Sequence, residues 1–219
     1  MATQPQIEAE IIARQAAEPA YDSRFRRLVG AAAWEALRPA IRRRFSKRLQ
    51  GTAVALYAGE IVETRLSAAG WLLGQACRLI GAPLPLYRDA GVPAVVVVSE
   101  DGVSGGQRWT RIYHRRRGTP QVVNSAKTFA GPTGLEELVG GGIGMALAVH
   151  AAEDRLVFAS TRYFLKLGRR RLPIPAALSP GRTTVTHRDL GEGRFAFDLE
   201  VVHPWFGTLV RQHALFHDQ

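Results

Sequence analysis

From Pro93 onward the chain alternates apolar and polar residues in short runs broken by Gly, Pro, Asp and Asn, the pattern of strands joined by turns. The runs are Ala94–Ser99, Gln107–His114, Gln121–Lys127, Leu135–Val139, Met145–Ala151, Leu156–Leu165, Arg182–Asp189, Arg194–Val202 and Thr208–Phe216. The clearest is Arg194–Val202, where Phe195, Phe197, Leu199 and Val201 alternate with Ala196, Asp198 and Glu200, so one face is buried and the other wet. Turns such as Glu153-Asp154 and Gly191-Glu192-Gly193 are too short for a parallel crossover, so successive strands pair antiparallel.

The N-terminal third has a different period. Trp34, Leu37, Ile41, Phe45 and Leu49 recur at three- and four-residue steps, which places them on one helical face with arginines opposite. Pro39 is tolerated only in a first turn, so a helix begins there or two short helices meet at Arg38. Gly51–Glu63 reads as a strand or hairpin, and Ser67 offers an N-cap for a helix through Ile80 that is apolar on nearly every side. Such a helix is expected to be enclosed, here by a curved sheet. Residues 1–20 read as a tail or weak helix and residues 21–219 as one domain. The expected fold class is α+β: N-terminal helices packed against a curved, mostly antiparallel, meandering β-sheet, like a half-barrel.

With 219 residues, 46% of them hydrophobic, the chain can bury a sizeable core. The lone cysteine, Cys77, has no partner for an internal disulfide. Glu8 and Glu10 stand where a signal peptide would be apolar, and no apolar run reaches the roughly 20 residues of a spanning helix. A cytoplasmic location is therefore expected. The net charge of +10 is concentrated in three arginine-rich windows, 24–48, 108–117 and 162–171. A GC-rich coding sequence produces such an excess of arginine without selection for binding. A functional reading is attachment to an anionic membrane through Arg42, Arg43 and Arg44 on a basic helix over 39–49, together with Arg169, Arg170 and Arg171.

Few motifs of chemistry are present. Gly140-Gly141-Gly142-Ile143-Gly144 precedes a strand where a dinucleotide fingerprint would open a helix, and it reads as a strand connection. The six histidines show no zinc spacing, so no metal site is expected. His203 and His213 flank the last hairpin and are placed to face each other across it. Glu136 and Glu137 point to opposite faces of one strand, which turns one of them inward, near Arg111 or Arg162. Trp109, Arg111 and Tyr113 share one strand face, two aromatic surfaces beside a planar donor. With Glu137 and His203 they make a candidate ligand site for an apolar or amphiphilic small molecule. No catalytic residue can be assigned; Glu137 or His203 as a general acid or base is the remaining enzymatic alternative. No cofactor is implied, and the 8% aromatic content disfavours nucleic acid.

The segments Leu37-Arg38-Pro39-Ala40-Ile41-Arg42, Gly81–Leu84, Gln107-Arg108-Trp109-Thr110-Arg111, Glu137-Leu138-Val139-Gly140, Leu172-Pro173-Ile174-Pro175, Gly193–Phe197 and His203-Pro204-Trp205-Phe206-Gly207 resemble a bacterial family, domain of unknown function 4166, from about residue 22 to the end. The chain departs from it at Gln107, where the family tends to have Glu, and at Phe45-Ser46, where a His tends to end the first helix. The resemblance implies a domain that occurs alone or behind a saccharopine-dehydrogenase-like NAD(P)-binding domain. A redox-enzyme partner follows from it as an expectation, with no activity to carry over.

Overall fold

The computed structural model of the chain describes residues 21–218; the tail expected over 1–20 lies outside them. Eleven strands form one antiparallel sheet: β1 (Val54–Leu66), β2 (Val92–Asp101), β3 (Gly106–Tyr113), β4 (Gln121–Thr128), β5 (Glu136–Gly140), β6 (Ile143–Ala152), β7 (Arg155–Leu167), β8 (Arg170–Pro173), β9 (Arg182–Gly191), β10 (Arg194–His203) and β11 (Gly207–His217). Strands β1 to β7 pair in sequence order, β7 continues to β9, β10 and β11 follow, and β11 pairs with β1. The sheet therefore closes as a ten-stranded up-and-down barrel, and the half-barrel expectation is corrected. Closure pairs backbone groups that an open sheet would leave on two free edges. Short β8 lies outside the ring, paired to the second half of β7.

Among the described residues the helices are few and short, so the fold is mainly antiparallel β rather than the expected α+β arrangement of helices packed against a sheet. Three lie at one end of the barrel: α1 (Arg24–Val29), α2 (Ala31–Glu35) and α3 (Pro39–Phe45). Pro39 opens α3 and Arg38 before it is extended, as the residue preceding a proline must be. Phe25, Trp34, Leu37, Ile41 and Phe45 pack with Leu147, Leu156 and Phe158 from the inner faces of β6 and β7, plugging this end. No helix among the described residues is long and apolar enough to cross a membrane.

The helix after β1 also departs from the expected enclosure. It runs over Ala68–Ala76 (α4), capped by Ser67 Oγ, which accepts from the Gly70 amide, and continues as a 3-10 turn over Cys77–Ile80. The barrel does not enclose it. It lies across the opposite end, where only Gly70 and Gly74 are buried and Trp71 and Leu72 are exposed. The glycine run read as a strand connection is the β5–β6 turn, with Gly141 and Gly142 at φ +55° and +78°. A Cβ on Gly140 would stand 1.8 Å from Ile80 O, so this turn lets the 3-10 segment seat on the barrel mouth.

Candidate functional site

Strand alternation turns Trp109, Arg111 and Tyr113 of β3 into the barrel, and the registers Trp109↔Ser125, Gln107↔Lys127 and Lys127↔Glu137 carry the same face across β4 and β5. Trp109, Arg111, Tyr113, Lys127 and Glu137 thus line one interior cavity of about 80 Å³, together with Phe197 and Leu199 of β10. A second cavity of about 130 Å³ shares Arg111, Glu137, Val185 and Leu199 with the first and is covered by Cys77, Ile80, Ile174 and Pro180. Towards α3 a small space of about 20 Å³, lined by Arg44, Gln107, Trp109 and His187, continues the series. The three spaces follow one another along the barrel interior.

At the middle of this series lies a buried charge cluster. Ser125 Oγ donates to Glu137 Oε1 at 2.6 Å, Lys127 Nζ stands 3.1 Å from Oε2, and Arg111 Nη2 lies 3.5 Å from Oε1 while also donating to Ser125 Oγ. Lys127 Nζ also sits 4.6 Å over the Trp109 ring. Burial by itself would raise the Glu137 pKa, but Lys127 and Arg111 overcome it and hold the carboxyl at about 2. Burial, with Arg111 beside it, pushes the Lys127 ammonium below the usual lysine value, against the pull of Glu137. Tyr113 is pushed up, chiefly by burial. Arg111 Nε is buried with no acceptor among the described residues. Two basic side chains therefore face one carboxylate in a cavity whose remaining lining is mainly apolar.

Four of the five sequence candidates for the ligand site meet in this cavity. The fifth, His203, does not: it sits at the β10–β11 turn, where its Nδ1 accepts from the Trp205 amide and its ring packs on Trp205 and Phe206. Nor does it face His213, because the register sets His203 opposite Gly207 and His213 opposite Asp198, whose carboxylate His213 contacts. Glu136 points to the other face of β5 and pairs with Arg171 at 2.7 Å. Of the basic helix residues, Arg42 pairs with Glu35, whereas Arg44 is buried between Asp189 and Asp218 and presents no surface charge. Lys127 was not anticipated. In Asn124-Ser125-Ala126-Lys127 it reads as a solvent-facing lysine, and the signal against that is its place two residues after Ser125 and four after Val123, on the same strand face.

Three or more His, Cys, Asp or Glu side chains do not gather in a metal-binding arrangement anywhere among the described residues. Comparison with known families finds one match, domain of unknown function (DUF4166), over residues 37–216. The chain belongs to this family. Neither the curated proteins nor the solved structures include a match. The match covers the strands, all but the last residue of β11, and the whole charge cluster, while α1 and α2 precede it.

Proposed function

We propose that this member of the DUF4166 family binds a small amphiphilic molecule inside its barrel, with an anionic group against Arg111 and Lys127 and an apolar body along Phe197, Leu199 and the second cavity. The observation that carries the reading is the unequal charge in the cavity: two cations against one carboxylate, with Arg111 Nε lacking an acceptor. A buried positive charge without a counter-charge is costly, and a ligand carboxylate, sulfonate or phosphate offsets that cost while its chain fills apolar space. Up-and-down barrels with more than eight strands have interiors wider than side chains alone fill, which supports the same reading.

The acid-base alternative through Glu137 fares worse. A carboxyl held at about 2 is ionised at every working pH and is a poor general acid or base near neutrality. Native mass spectrometry of freshly purified protein, compared with the same sample denatured, tests the binding reading. A retained mass that leaves on denaturation, and is absent from an Arg111→Met/Lys127→Met variant, is the expected result. A retained mass unaffected by that variant contradicts the assignment of the anionic subsite.

A further inference from the structure

Helix α4 is inverted for a helix facing water. Its small residues Gly70 and Gly74 meet the barrel, Trp71 and Leu72 point outward, and the following 3-10 turn leaves Leu79 91% exposed. The β10–β11 turn at the same end adds Trp205, 71% exposed, and Phe206, 64% exposed. The two surfaces adjoin, because the Ser67 amide donates to Leu209 O and Leu209 lies three residues, or about 10 Å of strand, beyond Phe206. Five large apolar side chains presented together at one end of a folded domain mark a surface that something covers.

The charge around them indicates what kind of surface that is. The connections at this end (67–91, 114–120, 141–142, 168–181 and 204–206) contain eight arginines and one carboxylate, Asp89, which Arg115 engages. Arg78, Arg117, Arg169 and Arg170 have no carboxylate partner among the described residues; the opposite end also has such arginines, Arg27 and Arg43, but there Asp22, Glu35 and Asp218 pair with Arg24, Arg42 and Arg44. A second copy docking through the same end would set arginine against arginine. An anionic lipid surface meets both features at once, since tryptophan prefers the interfacial layer and arginine the headgroups.

We propose that this end of the barrel docks on an anionic lipid bilayer, with Trp71, Leu72, Leu79, Trp205 and Phe206 in the interfacial layer and Arg78, Arg169 and Arg170 against the headgroups. The inference rests on the outer surface and stands apart from what the cavity holds, although the segment that meets the lipid also covers the second cavity through Cys77 and Ile80.

Flotation of the full chain with phosphatidylglycerol-containing vesicles, and with pure phosphatidylcholine vesicles, tests it. The expected result is co-flotation with the anionic vesicles, weakened by salt, with a blue shift of tryptophan emission. That shift comes from Trp71 and Trp205, because Trp34 and Trp109 are already buried. Arg169→Gln/Arg170→Gln weakens the partition about thirtyfold, and Trp71→Ser/Trp205→Ser removes the shift, both with unchanged circular dichroism. No flotation with anionic vesicles overturns the proposal, as does flotation that neither variant alters. Concentration-dependent self-association that shields the tryptophans without vesicles assigns the surface to a second copy and overturns it too.

Discussion

His187 is 1% exposed, lies 5.0 Å from the rings of Phe45 and Phe195 and 5.1 Å from that of Phe197, and neither of its ring nitrogens has a partner among the described residues. Burial, reinforced by the Arg44 guanidinium, pushes its pKa from 6.5 down to about 3, against smaller upward pulls from its own backbone and from Asp218. The unfolded chain therefore binds a proton that the folded chain refuses throughout that interval, and stability present above 6.5 is lost as the pH falls. The whole shift corresponds to about 5 kcal/mol, of which roughly 2 kcal/mol is already gone near pH ~5. Glu137 loses its contribution only at lower pH, between the ordinary carboxylate range and about 2, so the slope on the neutral side isolates the histidine. Substituting His187→Phe keeps the ring and removes both orphaned nitrogens. Urea unfolding followed by circular dichroism from neutral pH to about pH 5 is expected to show wild-type stability declining by up to ~1.4 kcal/mol per pH unit and the variant nearly flat. An identical slope in both proteins would refute the assignment of the acid limit to this residue.

The charge cluster and the α4 contact give two further expectations. Glu137→Gln leaves Lys127 and Arg111 without their anion and lowers stability by about 3 kcal/mol, while Glu137→Gln/Lys127→Met regains most of that loss; thermal melts of the two variants decide it, and equal melting points contradict a coupled cluster. Gly70→Ala, which in an exposed helix stabilises by about 1 kcal/mol, here sets a Cβ 1.9 Å from Leu209 O and is expected to destabilise instead, with faster amide exchange in α4; a raised melting point would show that α4 seats differently.

The order of strands was legible because alternation is local. Phe195, Phe197, Leu199 and Val201 mark the inner face of β10, and nine of the eleven strands follow the runs read after Pro93 within a few residues. Strand β8 escaped because all four of its residues are exposed and carry no alternation. Closure was not legible: it depends on β1 meeting β11, elements from opposite ends of the chain whose pairing leaves no mark in either sequence alone. Helix α4 misled for a related reason. Its apolar composition signals burial, but the close approach of Gly70 to Leu209 decides which side is buried, and that side is the one with the smallest residues. Within the site, the shared face of Trp109, Arg111 and Tyr113 followed from spacing, whereas Lys127 entered through cross-strand register and His203 left through it.

An anionic subsite inside the barrel is tested most directly by calorimetric titration of the protein with a medium-chain alkyl carboxylate and with the uncharged alcohol of the same length. The carboxylate is expected to bind at least about tenfold more tightly, as one charge-assisted contact of about 1.5 kcal/mol requires, and Arg111→Met/Lys127→Met to abolish the difference. Equal affinity for the two ligands, or a preference for the carboxylate that survives in the variant, would contradict it.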